Sequence, residues 1–362
     1  MASPPRKARI HALDHFRGAA ILIIVLSHCI HPSWNVDSLT EKTVANIIIN
    51  CSALFVFISG FFFHHIYADR FRFGRFLRGK LRTVFSPYIT LSLTVFLLHL
   101  AVHRPLPMAS ELGYQLDFEH PLRTWLGHAR MAFVYILTGK ISGPYWFMPF
   151  IGFMFLLSPV FLLFSRSRPS IKIFYLLASV ALASWLQRPL NNFNTLHSVL
   201  YFAPFYALGI TYSVHRARIN DWLRGKDWAF ALLVLALAAL QAKIVPFFGG
   251  YTKTSMWVWN GIDINVFQKV AFCLFLITFC NRLGDREIPV LRFFASASFA
   301  LYLLHYFALD IFRWPKIDHL ISFARGFYGS LFLCVTAIGL CLTFASLFRL
   351  ALGRHSRYVI GW

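Results

Sequence analysis

Leu13-Asp14-His15-Phe16-Arg17-Gly18-Ala19-Ala20-Ile21-Leu22-Ile23-Ile24-Val25-Leu26-Ser27-His28 decides the fold of this chain. An uninterrupted apolar run is entered through Arg17 and left through His28, and the segment 17–33 has the length needed to cross a bilayer. A basic stretch, Met1 to Arg9, precedes it, as in a signal peptide. However, the run carries Arg17 and His28, and no small-x-small cleavage site follows. It is therefore expected to be retained as a first membrane span.

On an α-helix, 11 residues at 100° each come to about 1100°, some 20° off three full turns, so Arg17 and His28 share one face. The rise between them is about 16 Å. Ionisable side chains inside a span are costly and usually functional. An imidazole can take a proton from a hydroxyl at neutral pH. The alternative is that His28 only hydrogen-bonds between helices, with Ser27 beside it.

The rest of the chain repeats the pattern. Apolar segments at 17–33, 44–67, 83–103, 145–164, 171–187, 196–214, 228–247, 263–281, 290–312 and 327–352 predict about ten spans. The segment 129–139 is too short to cross. The fold class expected is all-α, a polytopic membrane helix bundle forming a single domain over 1–362. Residues 1–16 and 353–362 are expected to be cytoplasmic ends. Lys and Arg set the orientation. With the N-terminus inside, the inside segments hold Arg6, Lys7 and Arg9, the run Arg70 to Arg82, Arg166, Arg168, Lys172, Arg216, Arg218, Arg224, Lys226, Arg282, Arg286, Arg354 and Arg357. The longer outside loops hold fewer.

Composition agrees. Hydrophobic residues make up 58% of the 362 and charged residues 14%, against about 25% charged in soluble domains. That deficit excludes an ordinary soluble enzyme. The net charge of +21 lies in short segments between apolar runs, where it suits topology and anionic lipid headgroups rather than nucleic acid. Cys29, Cys51, Cys273, Cys280, Cys334 and Cys341 all fall within apolar runs without CxxC spacing. Neither a disulfide framework nor a metal site is expected.

Three further groups are polar where lipid would reject them. Residues 68–88, ADRFRFGRFLRGKLRTVFSPY, concentrate basic side chains, among them Arg75, Arg78, Lys80 and Arg82. These suit either phosphates or membrane topology. Gly143-Pro144-Tyr145-Trp146-Phe147-Met148-Pro149 opens a span with aromatic belt residues. Ser298, Tyr302 and His305 follow i, i+4, i+7 on one helical stripe, with Ser296 nearby, and can line a cavity or bond between helices. His64, His65, His99 and His197 lie mostly near span ends.

These residues resemble, in order, the acyltransferase-3 family of membrane acyltransferases. Leu13 to Leu22 followed by His28 is similar to its opening pattern of an Arg, ten residues, then His. Phe55-Val56-Phe57-Ile58-Ser59-Gly60-Phe61 resembles its second-span element. Phe76-Leu77-Arg78-Gly79-Lys80-Leu81-Arg82 with Pro87-Tyr88 resembles its basic loop. Tyr145-Trp146-Phe147, Tyr201 to Gly209, and Ser298 to His305 resemble later elements. The family's Arg-x-x-Arg directly before Pro-Tyr is replaced here by Lys80 and Thr83. Arg72-x-x-Arg75 and Arg75-x-x-Arg78 lie upstream.

The resemblance implies O-acylation, usually acetylation, of a glycan or other hydroxyl compound. The donor is cytoplasmic acyl-CoA, a substrate rather than a bound cofactor. The partners expected are acyl-CoA, a carbohydrate or lipid-linked acceptor, and membrane lipids, with no nucleic acid. The expected location is the cytoplasmic membrane of a bacterium, as a multi-pass protein. His28 is expected as general base or transient acyl carrier, and Arg17 positions it or the donor. Arg75, Arg78, Lys80 and Arg82 are expected to hold the CoA phosphates, and Trp146, Ser298, Tyr302 and His305 to line the acceptor side. The competing class is a transporter or flippase, which uses the same polar cavity without covalent chemistry.

Overall fold

The computed structural model describes residues 10–30, 34–35, 37–102, 121–284, 286–312 and 326–362. The chain is a bundle of helices, with only a two-residue parallel pairing of Arg188–Pro189 with Thr252–Lys253 among the described residues. In order, the helices are α1 (His11–His28), α2 (Leu39–Ile48), α3 (Ser52–Phe62), α4 (Phe73–Lys80), α5 (Ser86–Ala101), α6 (Pro121–Thr138), α7 (Phe147–Leu156), α8 (Ser158–Arg166) and α9 (Pro169–Leu186). They continue as α10 (Thr195–Val214), α11 (Arg216–Leu223), α12 (Asp227–Ile244), α13 (Ile264–Arg282), α14 (Pro289–Phe312), α15 (Gly326–Leu352) and the short α16 (Ser356–Val359). The expected all-α membrane bundle is what forms.

Seven helices among the described residues are long and apolar enough to span, or eight if α7 and α8, bent by 58° at their junction, count as one. Pro159 explains that bend, because it has no N–H to continue the helical ladder. Two of the ten expected segments, 17–33 and 196–214, form helices outside that set. Both are rich in polar groups, with Asp14, His15, Arg17 and His28 on α1 and His197 and Ser198 on α10. All but the last residue of the expected short segment 129–139 lies within α6. The first helix ends at His28 rather than near 33.

α1 and α14 pack side by side and run parallel. Ile288 N–H donates to His15 Nε2 at 3.3 Å, the Arg17 guanidinium donates to the Ala295 carbonyl, and His28 lies against His305. Gly18 makes this possible, because a Cβ there would sit inside the Leu291 carbonyl. Small residues let membrane helices approach to backbone contact. α3 and α10, running antiparallel, also meet at backbone contact. A Cβ on Gly60 would overlap the Tyr206 carbonyl, and one on Gly209 the Phe57 carbonyl.

Between α2 and α3 the helix breaks: Ile49 is extended and Asn50 takes φ of +64°, a conformation asparagine tolerates. The break frees carbonyls that lipid cannot satisfy. Lys269 of α13 reaches across to the Asn46 and Ile47 carbonyls at 2.9 and 2.8 Å, and Gln268 Nε2 donates to the Asn46 carbonyl at 3.1 Å. Lys269→Met will leave the Ile47 carbonyl without this donor. We expect destabilisation of about 1–2 kcal/mol, read as a lower Tm of the detergent-solubilised protein. An unchanged Tm would show that the break stands without this lysine.

Candidate active site

The site is built where α1 ends against the middle of α14. The imidazoles of His28 and His305 lie with ring centroids 5.1 Å apart, and Tyr306 meets His28 edge-on at 5.9 Å. His305 is fully buried, whereas His28 is half-buried. His305 Nδ1 lies 3.0 Å from the Leu301 carbonyl and 2.9 Å from the Tyr302 carbonyl. Carbonyl oxygens only accept, so Nδ1 carries the proton, and in the neutral ring Nε2 holds the lone pair.

A turn over Gly143–Trp146, at the entry to α7, closes one side of this pair. Two tyrosines stitch it to α14 reciprocally. The Tyr302 hydroxyl donates to the Pro144 carbonyl, and the Tyr145 hydroxyl donates to the Leu303 carbonyl at 3.0 Å. Gly143 leaves room for the Tyr306 ring, since a Cβ there would come 2.8 Å from Tyr306 Cζ. Tyr88 of α5 packs on Tyr145 at 5.3 Å and donates to the Ile136 carbonyl at 2.7 Å. The turn and α14 are thus hydrogen-bonded to each other beside the two histidines, and α5 packs on the turn through Tyr88.

The residues expected from sequence divide in this structure. His28, Tyr302 and His305 come together, with Tyr302 6.2 Å from His305 by ring centroids. Arg17 holds the other end of the same helix pair through Ala295. The Ser298 hydroxyl donates to that same carbonyl, at 2.9 Å, within its own helix. Trp146 stacks on Phe202 of α10 at 5.5 Å, while its neighbour Phe147 packs on Tyr302 at 5.6 Å.

The basic residues also separate. Arg75 and Arg78 are exposed on α4. Lys80 sits over the rings of Phe155, Tyr67 and Phe76 at 4.9, 5.1 and 5.5 Å. Arg82 lies elsewhere, over Tyr358 at 4.7 Å. Of the other histidines, His197 holds its Nε2 3.0 Å from the Gln187 carbonyl, and His64 pairs with Ser213 at 2.8 Å.

Sequence reading missed Tyr145 and Tyr306 as members of the site. Their signals were present but bland, because one stood among ordinary belt aromatics and the other beside His305. It also missed a buried polar cluster beside the α2–α3 break. There the Tyr201 hydroxyl donates to Asp263 at 3.0 Å, and Asn265 links Gln241 with Gln268. A lysine within the apolar run 263–281 was the available sign.

A family model described as an acyltransferase domain matches residues 10–348. Neither the curated proteins nor the solved structures contain a match to the chain.

Proposed function

This chain belongs to the acyltransferase-3 family, and from that premise we propose that it moves an acyl group, acetyl foremost, from cytoplasmic acyl-CoA to a hydroxyl of a glycan or similar acceptor at the membrane. The observation that carries this reading is the pairing of His28 with His305 at 5.1 Å within a frame of tyrosines.

In the proposed reaction the acceptor hydroxyl oxygen attacks the thioester carbonyl carbon while His28 takes the hydroxyl proton. The carbon–sulfur bond then breaks. The departing thiolate receives the proton from the imidazolium, so an acyl ester and free CoA thiol leave and the histidine is restored. His305 orders the partner ring, since its Nδ1–H is committed to backbone carbonyls. Arg17 is a positioning residue. Through Ala295 it clasps α1 to α14 and so keeps His28 opposite His305. Tyr302 shapes the acceptor side, with Phe147 packed on its ring. Trp146 supports that wall from behind, and Ser298 stands at the Arg17 end. The cytoplasmic membrane of a bacterium is the setting we propose.

Purified protein in nanodiscs, given radiolabelled acetyl-CoA, is expected to release free thiol and transfer label to an added membrane glycan extract. Transport of the glycan with no thiol release from acetyl-, succinyl- or longer acyl-CoA would favour a flippase and overturn this reading.

A further inference from the structure

Residues 353–362 were expected to be a cytoplasmic tail, but they are folded into the body of the protein. Ile360 is fully buried. The Ser86 hydroxyl donates to the Tyr358 carbonyl at 2.8 Å, and the Ser356 hydroxyl to the Trp362 carbonyl. Gly361, at φ of +85°, lies so close to α14 that a Cβ would come 2.6 Å from the Phe299 ring. The segment therefore crosses from the start of α5 to α14 and closes a groove against the end of α15.

The cavity is about 1180 Å³, and Arg82, Arg349, Arg354, His355, Arg357 and Tyr358 line it. Among the described residues no acidic side chain does. Small-molecule sites run to about 300–1,000 Å³, so the groove has room for a bulky polyanion. Its cations are guanidiniums, whose planar forks match phosphate oxygens two at a time. Two of them already stack on aromatic rings, Arg82 on Tyr358 at 4.7 Å and Arg349 on Trp362 at 5.0 Å. Such paired planes are also the surfaces on which a base stacks.

The position fits the chemistry next door. Ser296 lines the groove, one residue from the Ala295 carbonyl that Arg17 holds. From Ser296 to His305 the rise along α14 is about 14 Å, and Phe299 and Tyr302 stack in parallel between them, 6.4 Å apart. An extended pantetheine arm spans that interval. The basic ends of the helices gathered here are those that the charge rule places in the cytoplasm.

We infer that this groove, built by the C-terminal segment with Arg82, binds the 3′-phosphorylated adenosine diphosphate end of the acyl-CoA donor. The inference rests on the acyl-transfer reading above and names the donor's seat. An anionic lipid headgroup shares the same phosphate chemistry, so the test separates the two.

The probe is adenosine 3′,5′-bisphosphate, titrated calorimetrically into the full chain in an uncharged detergent. The wild type should bind it. The double variant Arg354→Ala/Arg357→Ala should bind at least about tenfold more weakly. Arg166→Ala/Arg168→Ala, which removes the same charge from exposed positions elsewhere, should bind within about twofold of wild type. Arg354→Lys/Arg357→Lys should restore binding in part, since charge returns without the fork. Matching elution on size exclusion and matching Tm establish that the variants are folded.

Undiminished bisphosphate binding by Arg354→Ala/Arg357→Ala would overturn the inference, as would no binding by the wild type. So would a loss seen only in Arg75→Ala/Arg78→Ala, which would move the seat to α4. If the groove variants lose only their preference for phosphatidylglycerol over phosphatidylcholine nanodiscs, the occupant is lipid and the inference falls. Thiol release distinguishes its failure from that of the acyl-transfer reading. Wild-type turnover with an unchanged KM for acetyl-CoA in the groove variant refutes the groove alone. Bisphosphate bound in the groove without turnover of any acyl-CoA refutes the transfer alone.

Discussion

His28→Ala protein that inserts and elutes normally will turn over acyl-CoA at least about 100-fold more slowly than wild type, with the loss in kcat rather than KM. A positioned general base contributes about 10²–10⁴-fold, and His28 is the ring of α1 that stands against His305. The expected size follows from what each imidazole is already doing. His305 Nδ1 is bound to two carbonyls of its own helix, so that ring is held in place and is not available to swing toward an acceptor. His28 ends its helix and is half-buried, at the open side of the pair. His305→Ala should therefore lower kcat less than His28→Ala, because it removes the support and leaves the base. Tyr306→Phe, which keeps the ring against His28, should be milder still. Single-turnover thiol release at saturating acetyl-CoA measures all three. Full turnover by folded His28→Ala protein would remove His28 from the chemistry, and a larger loss in His305→Ala would exchange the two roles.

Gly209→Leu will produce little or no monodisperse protein, with a destabilisation of about 3 kcal/mol or more. Its Cβ alone would lie inside the Phe57 carbonyl and 2.8 Å from the Phe61 nitrogen, and those are backbone atoms of a packed helix. They can move only if α3 and α10 separate. That separation would break the layer in which Phe57 and Phe61 pack on Tyr212 at 5.9 and 5.7 Å, and would part His64 from Ser213. Gly339→Leu is the comparison. It makes the same substitution within α15, at a position where a Cβ meets nothing within 4 Å. It should fold with a Tm near wild type. Fluorescence-detected size exclusion after heating reads both. A well-folded Gly209→Leu would mean that the two helices do not depend on this contact.

Much of this protein could be read from the chain itself. The apolar segments, the low charge and the placement of Lys and Arg specify a helical membrane bundle, because lipid admits few other ways to satisfy a backbone. Arg17 and His28 could be put on one face of one helix, and Tyr302 and His305 on one stripe of another, because helical period is a property of local sequence. The same logic does not fix where the Ser298 hydroxyl points. Period gives the side from which a side chain leaves the helix, but a serine hydroxyl can fold back onto its own i−3 carbonyl, and this one does.

Which faces meet was decided only in three dimensions. Nothing in the spacing tells that α14 is the neighbour of α1. Gly18 allows that approach, and His15 and Arg17 lock its register. Only then does His28 find His305, 277 positions away in the chain. The basic loop shows the same limit. Arg75, Arg78, Lys80 and Arg82 are neighbours in sequence, yet α4 exposes the first two and half-buries the third among aromatic rings, and the stretch after it hands the fourth to a groove finished by residues 353–362. Charge and period are local quantities and survive in a string of residues. Contact between distant segments depends on close packing of particular surfaces, and that exists only once the helices have been brought together.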